Sequence, residues 1–283
     1  MNIAITAASG KLGSAIVKAL LAHSPEHHII ALARTPEKAQ HLGVEVRSGD
    51  YNDPAQLLQS LHSVDVLLLV SGMDSPDKRI QQHRNVIEAA KQAGVQKIVY
   101  TSVQGAEEGT AFSPVIQSNR QTEKDVHEST LEWVIGRNGI YIEPDVEYID
   151  TYQQVGGIFN CAAEGKCGYT TRDELGFAYA KMLTENHHNG KTYNLNSDPI
   201  TQYQLADYLN LAFDTQLTYQ PITFEQFKQR SITDLGEFIG TVVAGIYQGI
   251  SQGKADNPSH FTQAAGREHT SWDDYFSQLK SKH

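Results

Sequence analysis

The sequence has few cysteines, no excess of positive charge and no long hydrophobic run. Only Cys161 and Cys167 occur, and their spacing fits neither a C-x-x-C redox pair nor a zinc knuckle, so we expect two reduced thiols. A formal net charge of −10, with no local basic patch, disfavours a nucleic-acid partner. The longest apolar run, residues 64–70, is too short to cross a membrane. No basic segment followed by an apolar one marks a signal peptide, so a cytoplasmic protein is expected.

Twelve histidines raise the question of a metal site. His27–His28 and His187–His188 are adjacent pairs in polar segments, and neighbours in sequence do not face one another on a helix or a strand. We therefore expect no metal site built by the protein.

Short apolar segments alternate with helical ones through the first half of the chain. We expect strands over residues 3–6, 29–33, 44–47, 64–70 and 97–101, with helices over 11–22, 36–42, 54–61 and 79–93. This alternation predicts an α/β fold with a Rossmann-type, doubly wound parallel sheet. Ligands of such a sheet bind outside the carboxyl ends of its strands.

The second half of the chain is less regular. Strands are expected over residues 131–135, 169–172, 191–196 and 217–220, and helices over 173–184, 202–213, 223–229 and 233–251. We predict a Rossmann domain over residues 1–140, with a sheet completed by the strands near 169–172 and 191–196. Residues 141–283 then form a smaller, interleaved C-terminal α/β domain on the substrate side.

A glycine-containing loop, T-A-A-S-G-K-L-G over residues 6–13, lies between the first strand and the first helix, where a pyrophosphate binds in Rossmann folds. Gly10 and Gly13 keep the expected spacing, but Ala7 occupies the position of the first glycine. Alanine is acceptable there if its φ is negative, whereas a positive φ would weaken cofactor binding.

The end of the second strand distinguishes the two nicotinamide cofactors. An NAD site places Asp or Glu there, but this chain has Arg34, with Lys38 four residues further on. An arginine suits a 2′-phosphate, which favours NADP(H), although a solvated surface arginine is the alternative. Asp50, after the third strand, could bind the adenine amino group or only cap a turn with Asn52 and Asp53.

Several motifs together resemble the NmrA-like, atypical short-chain dehydrogenase/reductases. They are residues 1–13, Arg34, V-R-S-G-D-Y at 46–51, Q-H-R-N-V-I at 82–87 with A-A-K at 89–91, Y-T-S at 100–102, R-N-G-I-Y at 137–141, T-R-D-E at 171–174 and K-T-Y-N-L at 191–195. Within that family the chain looks most like the bacterial type 2 NAD(P)H:quinone oxidoreductases and the triphenylmethane reductases. The likeness extends over nearly the whole chain.

The resemblance implies an NADP(H) site and an acceptor site. The implied cofactor-binding residues are Thr6, Ala7, Ala8, Ser9, Gly10, Lys11, Leu12, Arg34, Lys38, Asp50, Ser71, Gly72, Met73, Thr101, Ser102 and Val103. Asn138, Gly139 and Tyr141 are implied on the nicotinamide and substrate side, although Tyr141 could equally be a core aromatic.

One departure from the wider superfamily concerns the catalytic acid. The region of the usual Tyr-x-x-x-Lys reads S-N-R-Q-T-E-K over residues 118–124, without a tyrosine four residues before Lys124. Asn119 falls near the lysine position of the isoflavone-reductase relatives, and Lys124 is expected to be a solvated helix residue. No catalytic residue is assigned, because the hydride would come from the cofactor and its transfer to a quinone or a cationic dye depends least on a protein acid.

Three functions follow as hypotheses. The first is an NADPH-dependent reductase of a quinone, a dye or a similar flat acceptor, with a cleft lined by groups such as Tyr141, Tyr148 or Phe159. The second is a non-catalytic NADP(H)-sensing regulator, favoured by the missing acid and by Ala7. The third, a sugar-nucleotide epimerase, conflicts with the missing Tyr-x-x-x-Lys. The expected partner is a small-molecule acceptor, with no nucleic acid and no membrane, and a homodimer is left open.

Overall fold

The computed structural model describes residues 1–281, which form thirteen strands and twelve α-helices. The strands are β1 (Asn2–Ile5), β2 (His28–Ala33), β3 (Glu45–Ser48), β4 (Val66–Val70), β5 (Lys97–Val103), β6 (Glu132–Asn138), β7 (Ile140–Tyr141), β8 (Gly157–Asn160), β9 (Lys166–Cys167), β10 (Tyr169–Thr170), β11 (Lys191–Leu195), β12 (Ile200–Thr201) and β13 (Thr218–Pro221). The helices are α1 (Lys11–His23), α2 (Pro54–Ser60), α3 (Pro76–Ala93), α4 (Ser113–His127), α5 (Glu143–Glu147), α6 (Ile149–Val155), α7 (Arg172–Thr184), α8 (Gln202–Phe213), α9 (Phe224–Leu235), α10 (Glu237–Ser251), α11 (Phe261–Ala265) and α12 (Trp272–Lys280). Short 3₁₀ helices occupy Pro36–Leu42 and Asn186–His188.

Seven parallel strands form the central sheet in the order β11-β6-β5-β4-β1-β2-β3. Side chains alternate between its two faces, as the pleat requires. Ile3 and Ile5 of β1 pack with α1, α7 and α11, whereas Ala4 faces the layer of α2, α3 and α4. The predicted doubly wound parallel sheet is therefore confirmed, and its carboxyl ends face one edge of the molecule.

The strands expected to complete the sheet have different outcomes. β11 lies at the sheet edge, parallel to β6, as predicted. The strand expected near 169–172 is not in the main sheet: β10 pairs only with β7, in a separate two-stranded piece. The Gly139 amide still donates to the carbonyl of Leu195 in β11, and the chain then leaves the main sheet, because β7 pairs with β10 instead.

Two expected helices also differ from the structure. Residues 36–42 form a 3₁₀ helix, which ends at Gly43 in the left-handed conformation. The single helix expected over 233–251 is divided at Gly236, whose φ of 82° ends α9 and precedes α10. An L-residue rarely adopts that φ, so the glycine permits the change of direction.

A further core lies in the C-terminal half, where β8, α8, α10 and α12 enclose residues such as Ile158, Leu205 and Phe276. Because β11, α7 and α11 belong to the layers of the main sheet, the second half of the chain contributes to both cores. The division at residue 140 stays a prediction. Across residues 1–281, no helix has both the length and the hydropathy that a membrane crossing requires.

Candidate functional site

A cleft of about 280 Å³ opens at the carboxyl ends of β1 to β4. The turns that follow these strands line it, together with Gln82 of α3. The lining residues are Ala7, Ser9, Gly10, Arg34, Thr35, Lys38, Gly49, Asp50, Tyr51, Asn52, Gly72, Met73, Asp74 and Gln82. The cleft is thus at the edge where the doubly wound sheet predicts a ligand.

The loop after β1 has the dimensions of a phosphate-binding turn. The Gly10 amide donates to the Ala7 carbonyl at 2.9 Å. A Cβ at Gly13 would lie 2.5 Å from that carbonyl oxygen, so glycine permits α1 to pack directly against the loop. No side chain caps α1, and no acidic residue occupies its first turn. Its first amides are therefore available to an anion at the cleft.

Ala7 adopts a positive φ of 47°, in the left-handed region. The condition under which alanine would be acceptable, a negative φ, is therefore not met. A left-handed L-residue costs about 1–2 kcal/mol, because its Cβ approaches the following carbonyl oxygen. The turn itself is formed, so the substitution strains the phosphate loop without abolishing it.

The remaining residues of the predicted loop have different environments. Ser9 and Gly10 line the cleft with Ala7. Thr6 does not, because its Oγ1 accepts hydrogen bonds from the Tyr51 hydroxyl and the Val70 amide. Ala8 and Leu12 belong to the core, and Lys11 forms a surface ion pair with Glu147 at 2.7 Å.

Arg34 and Lys38 line the cleft beyond β2 and are exposed. Within residues 1–281, neither side chain forms a hydrogen bond or an ion pair, so both cationic groups are available to a phosphate. Asp74, also in the lining, has a lowered pKa, mainly because Gln82 and Lys78 bind its carboxylate, with a contribution from the charge of Arg34. Asp50 Oδ1 accepts from the backbone and side-chain nitrogens of Asn52, which is the predicted turn.

The turn after β4 is bonded to β5, which extends to Val103, so Thr101, Ser102 and Val103 lie in the strand and not, as the sequence had predicted, in a turn after it. Gly72 and Met73 line the cleft, whereas Ser71 is held from within: its amide donates to Thr101 Oγ1, and its hydroxyl donates to Asn119 Oδ1. The Ser102 hydroxyl is also hydrogen-bonded within the protein, because it donates to the Glu123 carboxylate at 2.6 Å. Val103 packs beside a small core of Phe112, Val115 and Ile116. Contacts of these residues with a cofactor stay a prediction.

A buried polar network below the turn after β4 was missed from the sequence. His83 Nε2 accepts the Gly72 amide at 2.9 Å, and the Arg79 guanidinium contacts the Gly72 and Val115 carbonyls and Ser118. His83 lies in the Q-H-R-N motif, which gave the resemblance but no role. The network positions the backbone of Gly72 at the cleft.

The positions expected to supply an acid are occupied in other ways. Asn119 Oδ1 accepts from the hydroxyls of Ser71 and Tyr100, and its Nδ2 donates to the Val115 carbonyl, so both lone pairs of the oxygen and one of the two N–H donors are used by the protein. Lys124 is 64% exposed and 3.9 Å from Glu128, as expected for a solvated helix residue.

The predicted acceptor-side residues cluster where β6 ends. Asn138 accepts the Tyr179 hydroxyl at 2.7 Å and donates to the Tyr141 oxygen at 3.3 Å. The Arg172 guanidinium lies 5.2 Å from the Tyr141 ring centre. Position 139 requires a glycine, because a Cβ there would lie 2.3 Å from the Gly168 carbonyl oxygen. Their contact with an acceptor stays a prediction.

A second, smaller cavity of about 20 Å³ adjoins Gly139. Gln104, Phe112, Gly168, Gly245 and Ile246 are among its lining residues. Tyr148 and Phe159, named above as candidates for an acceptor cleft, are not in this lining: Tyr148 is 41% exposed, and Phe159 lies 5.8 Å below the Arg230 guanidinium. α10 contributes Gly245, Ile246 and Gly249 to the lining, and Ala111 and Phe112 pack closely against this helix at Gly245.

Glu123 joins β5, β6 and α4 behind this region and was also missed. Its carboxylate binds Arg137 through two hydrogen bonds, of 2.9 and 2.5 Å, and Arg120 through one of 2.7 Å. Burial opposes the charge, but the hydrogen bond with Arg137 and the charge of Arg120 keep the pKa of Glu123 below its usual value. This buried carboxylate therefore links the carboxyl ends of β5 and β6 to α4.

Comparison with known proteins assigns the chain to a family. The profile of the NAD(P)H-binding family matches residues 7–157. Quinone oxidoreductase 2 of Escherichia coli is 37% identical over 229 residues, which cover 80% of this chain and 79% of that protein. An NmrA-like family domain-containing oxidoreductase of Aspergillus flavus is 28% identical over 235 residues, which cover 80% of this chain and 76% of that protein.

Solved structures agree over the full length. The triphenylmethane reductase of a Citrobacter species, complexed with NADP(H), superposes with a TM-score of 0.90 and 35% identity, over 99% of this chain and 100% of that one. The NADPH-dependent quinone oxidoreductase of Escherichia coli, complexed with NADPH, superposes with a TM-score of 0.89 and 33% identity, over 98% of this chain and 99% of that one. The chain therefore belongs to the NAD(P)H-binding family, as an NmrA-like member, and the resemblance drawn from its motifs is confirmed.

Proposed function

We propose that the chain is an NADPH-dependent oxidoreductase that transfers a hydride to a quinone or a similar flat, electron-poor acceptor. The observation that carries this function is the cleft, in which the phosphate loop faces two unpaired cations, Arg34 and Lys38. The relatives that align over most of the chain include a quinone oxidoreductase and a dye reductase that bind NADPH or NADP(H).

The residues of the cleft fit the cofactor. The uncapped start of α1 suits a pyrophosphate, and Arg34 suits a 2′-phosphate through charge-assisted hydrogen bonds. NADPH supplies the hydride when bound. The protein contributes position: the loop at Ala7 to Gly10 and the Gly72 turn fix the two ends of the cleft, and the network of His83 keeps that turn rigid.

The acceptor side is proposed at Gly139, where the chain has small residues beside an aromatic one. Gly139, Gly168 and Gly245 leave backbone exposed to the small cavity, and Phe112 offers it an apolar surface. At about 20 Å³ that cavity is too small for a quinone ring, so entry requires its lining to move apart. Because the product anion of a quinone is delocalised, this step depends little on a protein acid.

The test is titration of the purified chain with NADPH and NADH, followed by absorbance in the reduced-nicotinamide band with a panel of quinones and a triphenylmethane dye. NADPH binding with acceptor-dependent oxidation is expected. Absence of NADPH binding would overturn the cofactor assignment, and binding without turnover on any acceptor would overturn the reductase assignment.

A second candidate is an NADP(H)-sensing regulator. It is favoured by the positive φ of Ala7 and by the hydrogen bonds that hold the side-chain amide of Asn119 within the protein. It requires binding of NADPH without acceptor-dependent oxidation, together with a change in affinity for a partner protein. A homodimer and a cytoplasmic location stay predictions of the sequence.

A further inference from the structure

A cluster of metal-ligating groups lies at the edge of the sheet opposite the cofactor cleft. Glu185 to His188 form the turn between α7 and β11. Here β5, β6 and β11 begin, at Lys97, Glu132 and Lys191, whereas the cleft adjoins the strand ends. The cluster is therefore separate from the proposed reaction.

Three ligand atoms converge in this turn. Glu185 Oε2 lies 3.6 Å from His187 Nδ1 and 3.6 Å from His188 Nε2, and the ligand atoms of all three residues are within 4.8 Å of one another. Two ligands about 2.0–2.1 Å from a shared tetrahedral Zn²⁺ lie roughly 3.4 Å apart, so the two separations of 3.6 Å between Glu185 and the histidines suit one ion. The second oxygen, Oε1, is held by Lys181 at 2.9 Å and leaves Oε2 to the two histidines.

The buried histidine supplies an independent indication. The His188 side chain is 1% exposed, and its Nε2 has no hydrogen-bond partner although it points at Glu185. An unpaired buried nitrogen costs about 1–3 kcal/mol, which a ligand at that atom would offset. The other nitrogen, Nδ1, lies 2.9 Å from the Tyr193 hydroxyl, the arrangement that orients a metal-bound imidazole from behind.

The adjacent histidines can share an ion because they are not on a regular helix or strand. They end a 3₁₀ turn, and their rings lie 3.9 Å apart with a tilt of 40°. The expectation of no metal site considered only regular elements, in which neighbours diverge.

We propose that Glu185, His187 and His188 form a binding site for a divalent transition-metal ion, with Zn²⁺ as its representative. Two imidazoles and one carboxylate are a ligand set that zinc uses with an open fourth position. His187 is 62% exposed, so the ion can enter from solvent and keep a water ligand. Lys97, whose Nζ donates to the Glu185 carbonyl at 3.3 Å, opposes the ion by its charge and moderates the affinity.

The test is calorimetric titration of the untagged, chelator-treated full chain with ZnCl₂, repeated on three variants. The wild-type chain should bind one Zn²⁺. His187→Ala and Glu185→Gln should each weaken binding at least about tenfold, because loss of a supporting group alone costs about 10–100-fold. His62→Ala removes another exposed histidine away from the cluster and should change nothing.

Both ligand variants alter groups that are partly or largely exposed, so they should fold, and unchanged NADPH affinity verifies this. Co²⁺ in place of Zn²⁺ should give the visible absorption of a tetrahedral site, lost in His187→Ala. Absence of Zn²⁺ binding by the wild-type chain, or equal binding by His187→Ala and His62→Ala, would overturn the proposal.

Discussion

The backbone amide of Gly72 donates a hydrogen bond to Nε2 of His83 over 2.9 Å. That nitrogen is therefore unprotonated, and the proton of the neutral ring is on Nδ1, 2.9 Å from Thr122 Oγ1. The Thr122 hydroxyl in turn donates to the Ser118 carbonyl, so it accepts the proton of Nδ1. A neutral histidine thus joins the turn at the cleft to α4.

The state of His83 predicts a loss of stability in mild acid. Burial, aided by the charge of Arg79, lowers the pKa of His83 from 6.5 to about 3. Between those values the unfolded chain binds a proton that the folded chain does not, so stability decreases as the pH falls below 6.5. From pH 7.5 to 5.0 this histidine alone should remove about 2 kcal/mol of the free energy of unfolding.

The measurement is urea unfolding of the wild-type chain and of His83→Gln at both pH values. Glutamine keeps an acceptor for Gly72 but cannot titrate, so its loss between pH 7.5 and 5.0 should be smaller by about 2 kcal/mol. Since carboxylates titrate in both proteins, only the difference between the two losses of unfolding free energy is informative. Equal losses in the wild-type chain and in His83→Gln would contradict the neutral assignment of His83.

Ala7→Gly should stabilise the chain, against the usual effect of glycine. The φ of 47° costs an L-residue about 1–2 kcal/mol, whereas glycine adopts it freely. Two effects offset part of this gain: the contacts of the alanine methyl group are lost, and glycine gives the unfolded chain more conformational entropy. We therefore expect a net gain in the free energy of unfolding of about 0.5–1 kcal/mol. NADPH affinity should not fall.

The matched control for this change is Ala8→Gly. Ala8 is fully buried and has no positive φ, so its replacement removes a core methyl group and should destabilise the chain by about 1 kcal/mol. Thermal unfolding of both variants measures the contrast. A lower Tm for Ala7→Gly than for the wild-type chain would show that the loop is not strained.

Glu123→Ala should be strongly destabilising. It leaves the Arg137 and Arg120 guanidinium groups without their shared carboxylate, and removal of one partner of a buried ion pair costs about 3–5 kcal/mol. Because both arginines keep some access to water, we expect the lower end of that range. Glu128→Ala, on the same segment but 65% exposed, should change stability by less than about 0.5 kcal/mol. Urea unfolding of the two variants tests the difference.

The sequence predicted the features that depend on local pattern. The alternation of apolar and helical segments gave the parallel sheet, and the spacing of Gly10 and Gly13 gave the loop at its edge. Arg34 was assigned to the cofactor site from its place after β2 and from the family resemblance, and it does line the cleft. In each case the residues that determine the structure are neighbours in the chain.

Features that join distant segments could not be predicted in the same way. The pairing of β10 with β7 joins two segments that α5, α6, β8 and β9 separate in the chain. The positive φ of Ala7 occurs where α1 approaches the loop closely at Gly13, and the role of His83 depends on its contact with a turn eleven residues earlier. Sequence pattern contains no information on these tertiary contacts until the sheet order is known.

Arg34→Ala should reduce affinity for NADPH far more than affinity for NADH. Only NADPH has the 2′-phosphate, and a charged hydrogen bond to it contributes about 1.5–3 kcal/mol, or roughly 10–150-fold in Kd. Lys38→Ala should have the same selectivity with a smaller effect, because an ammonium group does not bind phosphate in a bidentate manner. Arg84→Ala, which removes a surface arginine paired with Asp125 outside the cleft, is the control and should leave both affinities unchanged. Fluorescence titration of the four proteins with each cofactor gives the ratios. Equal losses for NADPH and NADH in Arg34→Ala would remove the 2′-phosphate from this arginine, and the preference for NADP(H) would then have to arise elsewhere in the cleft.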